Sequence, residues 1–411
     1  MIVIFFRNLI RDLIRQPLRT ALTLSGVVWG TFSVVLLLAF GDSVSKAQIK
    51  RFHGMGQGIV LVFPSRTTVP WQGFVRGKAV RVTPEMVEAI PEKVPGIELM
   101  SPEFVGSALM RNGRNEFRDT VRGVNPQFEL MRNTIAEKGR FIDPEDMAER
   151  KRVCFIGDVL ATDLFGTEEP VGRSVFIDSV PFTIVGVMRT KMQSSNYNGQ
   201  RDERCVFMPW TTYASLYGTK YVSNIIFRPR DLGRSKAVME DIKSHLSKII
   251  GFSPADPDAL GVWDTLEFEK QFTTFFLAFT IFLGVIGSFT LLVGGVGVAS
   301  IMRVVVDERT REIGVKLAVG ARRRTILWQF FSESLALMLV GGIVGFGLSA
   351  AVLQATKAFP KGGFTDFVGV PVLNPLVVVS TVLILLAIGV IAGMIPARTA
   401  ASTDPIEALR K

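Results

Sequence analysis

FTTFFLAFTIFLGVIGSFTLLVGGVGVASIM, residues 272–302, runs for 31 positions without an Asp, Glu, Lys, Arg or His. A helix rises about 1.5 Å per residue, so about 20 such residues cross a hydrocarbon core about 30 Å thick. Three more uncharged windows of at least that length occur, at Thr20–Gly41, Ser334–Thr356 and Phe367–Ala397. The chain of 411 residues is 48% apolar, with a mean hydropathy of +0.34. Four such windows argue against buried helices of a soluble protein, which rarely carries so many. The first window is longer than a signal-peptide core, follows a basic segment and lacks a small-residue cleavage site, so it reads as a retained helix. The expected spans are 20–41, 272–302, 328–356 and 372–397, a four-helix membrane protein.

The charge distribution sets an expected topology. The net charge is +10; residues 1–19 contribute +3, 303–324 contribute +4 and 398–411 contribute +1. The basic excess therefore flanks the membrane and forms no nucleic-acid patch. By the positive-inside rule these segments are cytoplasmic: an amphipathic start at 1–19, a loop at 303–325 and a tail at 398–411. The short loop 357–370 and the long segment 42–270 then lie on the outer side, the periplasm of a bacterial inner membrane.

That outer segment alternates strand and helix signals and reads as α+β. Gly58–Pro64 is strand-like, Thr83 caps a helix begun by Pro84, and Val238, Ile242, Leu246 and Ile249 fall at helical spacing. Asp42–Gln57 and Leu266–Phe276 read as outward extensions of the first two membrane helices. The two cysteines, Cys154 and Cys205, lie in apolar strand-like runs; buried free thiols and a single disulfide are both open. His53 and His245 are far apart and read as surface or packing residues. No Gly-x-x-x-x-Gly-Lys-Ser/Thr loop, nucleophile elbow or zinc-ligand helix occurs.

The loop runs Asp307-Glu308-Arg309-Thr310-Arg311-Glu312-Ile313-Gly314-Val315-Lys316-Leu317-Ala318-Val319-Gly320, with Ile313 and Leu317 at helical spacing among charges. Its pattern fits either a helix lying on the bilayer surface or one docked in a partner's groove. With Leu292–Met302 before it, this stretch closely resembles the MacB and lipoprotein-releasing permease family, which includes FtsX-like proteins. Pro396-Ala397-Arg398-Thr399-Ala400-Ala401-Ser402-Thr403-Asp404-Pro405-Ile406-Glu407-Ala408-Leu409-Arg410 does so too, and Gly139-Arg140-Phe141, Leu164-Phe165-Gly166 and Pro181–Val187 do so more weakly.

The resemblance implies a large periplasmic domain between helices 1 and 2, of two α+β subdomains, the inserted one roughly 105–215. It also implies that the loop is a coupling helix, with Glu308, Arg309, Arg311, Glu312, Ile313 and Gly314 in contact with an ABC ATPase and Ile313 as the apolar anchor. The ATPase is expected as a second polypeptide, because MacB carries its own before the first membrane helix. ATP and Mg would then sit on that partner, with no cofactor or metal on this chain. Further implied partners are a second permease copy, a periplasmic adaptor protein and an outer-membrane channel. The implied function is export driven mechanically through the outer domain; lipoprotein release and signalling to cell-wall hydrolases are the alternatives.

Gly284, Gly287, Gly294, Gly295 and Gly297 in the second span, and Gly341, Gly342, Gly345 and Gly347 in the third, fit close helix packing or a dimer seam. Glu333, near the start of the third span, is expected to pair with Arg322 or Arg323 at the interface.

Overall fold

A computed structural model describes residues 17–193, 197–198, 201–358, 368–404 and 408. Most of the 1–19 segment, most of the 357–370 loop and the end of the 398–411 tail lie outside the described residues. The chain divides into two compact units, residues 1–47 with 273–411, and residues 48–272.

The elements in chain order are α1 (Pro17–His53), β1 (Val60–Pro64), α2 (Pro84–Lys93), β2 (Ile97–Asn112), β3 (Asn115–Val124), α3 (Phe128–Arg132), β4 (Ala136–Gly139), α4 (Pro144–Ala148), β5 (Val153–Ile156) and α5 (Asp158–Phe165). There follow β6 (Ser174–Ile177), β7 (Val180–Met188), β8 (Cys205–Pro209), α6 (Trp210–Tyr217), β9 (Asn224–Pro229), α7 (Ser235–Ile250) and β10 (Leu260–Asp264). The last are α8 (Thr265–Glu308), α9 (Thr310–Ala318), α10 (Arg323–Thr356) and α11 (Pro375–Ala401). α1 and α8, 37 and 44 residues long, are unbroken past the ends of their apolar windows.

In the membrane unit α1, α8, α10 and α11 are each long and apolar enough to span a bilayer. Val27, Val34, Leu291, Val298, Phe330, Met338 and Leu385 are buried between them. Phe275, Phe282, Phe289, Val293, Ile343 and Ile391 face outward, as they do when the solvent is lipid. Small residues let backbones close up. A methyl added at Gly294 would lie 2.6 Å from the Gly26 carbonyl oxygen, and one at Gly345 would lie 2.7 Å from that of Val28.

The soluble unit is built on one sheet of order β10-β1-β9-β2-β3-β8-β5-β7-β4, with β6 joining β2 and β7. β2 is shared between two halves: Ile97–Glu103 pairs with β9, and Phe104–Asn112 pairs with β3. The central strands are buried on both faces, which explains why they read as continuous apolar runs. Val60, Val62, Cys154, Ile156, Val206 and Met208 enter one core. Their neighbours Ile59, Leu61, Phe155, Cys205 and Phe207 enter a second core on the opposite face. Cys154 and Cys205 therefore point to opposite sides of the sheet and are free, buried thiols. Burial pushes the Cys205 thiol up to about 11.

The Thr83 cap forms as the sequence suggests, its side chain accepting from the Met86 amide. On α7, Val238, Ile242 and Leu246 are buried, whereas Ile249 is exposed.

Candidate functional site

Two constellations concentrate the polar chemistry. The first is the loop helix α9. The chain breaks at Arg309, where Thr310 Oγ1 donates to the Asp307 carbonyl (2.8 Å) and to that of Val306 (3.1 Å). These bonds satisfy carbonyls at the end of α8 and let α9 start in a new direction. Gly320, at φ 97°, ends α9, and its amide donates to the Leu317 carbonyl.

Which face of α9 looks inward corrects the sequence reading. Ile313 is 2% exposed and shares the membrane unit's own core with Val306, Met302 and Phe330. Gly314 is buried too. Ile313 is therefore already buried by its own chain, whereas the sequence reading offers it to a partner. The large apolar residues exposed here are Val315 on α9 (47% exposed) and Val319, the residue that caps it (85%), four positions apart. Glu308, Arg311 and Glu312 are exposed, while Arg309 is partly buried.

A second correction concerns Glu333. Its carboxylate lies 3.7 Å from the Arg309 guanidinium, with Gln329 donating to it at 3.4 Å; neither Arg322 nor Arg323 is its partner in an ion pair. Lys316 reaches Gln329 at 3.4 Å. The reason lies in the fold-back at Arg309, which carries α9 across the start of α10. Two side-chain links and an apolar face thus attach α9 to α10.

The glycines divide by neighbour. Gly284 faces Leu38, Gly287 faces Val34 and Gly294 faces Gly26, all on α1; Gly295 faces Ile388 on α11. Gly341 faces Val27 and Gly342 faces Leu385. Packing within one chain accounts for these. Among these glycines of the second and third spans, Gly297 and Gly347 are the ones with open space beside them.

The second constellation, which sequence reading missed, is a buried charge cluster in the soluble unit. Arg122 on β3 donates to Glu103 on β2 at 2.5 Å. The Tyr197 hydroxyl and the Asn224 amide also reach Glu103, each at 2.9 Å. Arg132, on α3, donates to both oxygens of Asp202 at 2.9 Å and to the Met55 carbonyl at 2.5 Å. Lys191 donates to Asp202 and to the Arg132 carbonyl, each at 2.7 Å. The side chains of Glu103, Arg122, Arg132 and Asp202 are fully buried, and Lys191 is nearly so.

Three cations thus face two carboxylates out of water. Burial alone would raise the Asp202 carboxyl, but Arg132, Lys191 and Arg122 hold it far below the usual carboxylate range. Burial pushes the Lys191 ammonium down to about 8 against the pull of Asp202. The cluster ties β2, β3, α3 and the turn after α1 into one body. No group of three His, Cys, Asp or Glu side chains that could hold a metal occurs among the described residues.

Four apolar helices with a large α/β domain between the first and second define a multi-pass membrane protein. Residues 20–245 match the MacB-like periplasmic core domain, and residues 273–405 match the FtsX-like permease C-terminal domain. The chain belongs to the MacB-like, FtsX-like family of ABC transporter permeases.

It is 33% identical over 407 residues to the macrolide export ATP-binding/permease protein MacB of Rhodospirillum rubrum, covering 97% of this chain and 59% of that protein. The namesake of Wolinella succinogenes is 33% identical over 401 residues, with the same coverage. The chain thus spans about three fifths of the length of these relatives. Among solved structures, the periplasmic region of MacB from Actinobacillus actinomycetemcomitans aligns with 55% of this chain and 97% of that one, at 15% identity and a TM-score of 0.43.

Proposed function

We propose that this permease couples ATP hydrolysis on an ABC ATPase to movement of its soluble domain for export of a periplasmic or membrane-derived substrate. The observation that carries the reading is the two-sidedness of α9. One face is fixed to α10 through Ile313, Arg309 and Lys316, and the other offers Val315 and Val319 among Arg311 and Glu312. A partner gripping the exposed face would move α9 and α10 together. Apolar anchors ringed by charge suit such a contact, the charges setting register.

In this reading α9 and both termini are cytoplasmic, residues 42–270 are periplasmic and the membrane is the bacterial inner membrane. ATP and Mg bind to the ATPase, and this chain holds no cofactor. The unbroken helices α1 and α8 carry the motion, and the Arg132–Met55 bond passes it from the end of α1 into the sheet. A second permease copy packs where Gly297 leaves space, and a periplasmic adaptor with an outer-membrane channel completes the path. The names of the relatives, which join ATP binding, permease and macrolide export, support the ATPase and the export direction.

The test is co-purification of the ATPase with Val315→Asp, Val319→Asp and Arg311→Glu variants of the full chain. Loss of the ATPase at unchanged membrane expression is the expected result. Wild-type retention by all three would leave α9 as a membrane-surface helix.

A further inference from the structure

Residues 65–80, between β1 and α2, form a hairpin. Arg66 bridges Ala79 and Trp71 bridges Phe74. Trp71 and Phe74 exchange backbone hydrogen bonds of 3.0 and 2.8 Å around Gln72 (φ 44°) and Gly73 (φ 86°). Positive φ at both central positions is a type I′ turn, whose twist matches the flanking strands, so the tip is tightly closed.

The base is pinned at two points. Asp256 accepts from the Thr68 amide and hydroxyl, each at 2.7 Å, and from the Val69 amide at 3.0 Å. Lys78 Nζ donates to the carbonyls of Ile250 (2.6 Å) and Gly251 (3.0 Å) at the C-terminus of α7, and lies 3.4 Å from the centre of the Phe74 ring.

The tip nevertheless exposes apolar groups to solvent. Val75 is 76% exposed and Phe74 48%, and Trp71 and Val69 stand beside them. The stretch between Pro64 and Pro84 carries Arg66, Arg76, Lys78 and Arg81 and no carboxylate. Rigid aromatic side chains beside arginine are the composition of interface hot spots, because little entropy is lost when they are buried. Anionic lipid is the other surface that takes apolar-basic tips. Against lipid stands the engagement of most of these basic groups within the chain: Lys78 is held by the α7 carbonyls, Arg66 donates to the Gly77 carbonyl at 3.1 Å and Arg81 lies over the Tyr221 ring at 5.1 Å.

We propose that the 65–80 hairpin is a docking finger for another protein, whose surface offers an apolar pocket rimmed by carboxylates. Trp71, Phe74 and Val75 fill the pocket, and Arg76 meets the rim. The contact does not depend on the ATPase assignment of α9.

The experiment is in-cell photo-crosslinking of the full-length chain carrying Val75→p-benzoylphenylalanine, with the adduct mapped by mass spectrometry. The same probe at Arg114, in the exposed β2–β3 turn, is the positional control. The expected result is one heterologous adduct at Val75, absent at Arg114, whose crosslinked peptide joins apolar residues to Asp or Glu. Trp71→Ser and Arg76→Glu should each cut its yield by about ten-fold or more, as loss of a central anchor does. Reversing the partner's mapped carboxylate to Lys should restore yield to the Arg76→Glu chain. Adducts only with a second copy of this chain or only with lipid, or an adduct indifferent to Arg76→Glu, would overturn the proposal. No adduct at Val75 from protein that reaches the membrane at wild-type level would do the same.

Discussion

Replacing Asp202 by Asn removes one negative charge from a site that no water reaches. Arg132 loses a two-point partner at 2.9 Å and Lys191 loses one at 2.7 Å, while Arg122, 3.9 Å away, loses part of its compensation. Arg122, Arg132 and Lys191 then face Glu103 alone. Breaking a buried pair by removing one partner costs about 3–5 kcal/mol. Domains hold only about 5–15 kcal/mol in all, so roughly a fifth or more of the soluble unit's stability should go. At a urea dependence of about 2–3 kcal/mol per M, the unfolding midpoint falls by more than about 1 M. Urea titration of the detergent-solubilised chain, followed by tryptophan fluorescence, measures this. Trp263 is a near reporter, edge-on to Tyr197 at 6.4 Å. Glu169→Gln is the control: its pair with Lys138 is over half exposed on both sides, and water and salt screen such a pair so that it contributes little. Lys191→Met added to Asp202→Asn should recover part of the loss, since it removes one stranded charge. Equal midpoints for Asp202→Asn and Glu169→Gln would refute the account of the cluster as an interdependent charge network.

Gly294→Ala should lower thermal stability in detergent by about 1–3 kcal/mol, because the methyl meets Gly26 backbone, whereas Gly297→Ala, with open space, should leave it unchanged. Ile313→Asp should reduce the amount of folded chain in the membrane, and Val319→Asp should not; equal expression would contradict the burial of Ile313. Lys191 ionises in the folded chain at about 8, below its usual 10.5. The unfolded chain therefore binds the extra proton between those values, and folding stability should rise as pH climbs from about 8 to about 10.5. Urea midpoints across that range should show the rise in wild type, and it should be smaller in Lys191→Met.

Much of the membrane unit was legible because charge is excluded from a bilayer, so four uncharged windows announce themselves. The loop helix was legible as a helix and illegible as to face. Ile313 and Leu317 sit one turn apart, and so do Val315 and Val319. Periodicity separates these two stripes but cannot say which one the fold-back at Arg309 turns toward α10. Glu333 was assigned to Arg322 or Arg323 by nearness in sequence; a partner 24 positions back needs the chain path. The charge cluster was hidden for the same reason, its bonds joining residues 11 to 121 positions apart. The signal available was a lone charge inside an apolar strand, as at Glu103 beside Phe104 or Arg122 after Val121, and it names no partner. Cys154 and Cys205 were undecided until the sheet put them on opposite faces.

The charge cluster also limits how this chain can change over generations. Each of its five charged members is held by at least one of the others, so almost any single substitution strands a buried charge. A change to an apolar core of the same shape would be tolerated or even favourable as a finished product. Reached one residue at a time, it passes through forms whose deficit rivals the whole stability of the domain. Every exit from such a cluster by a single step is steep, whether or not the charges themselves serve transport.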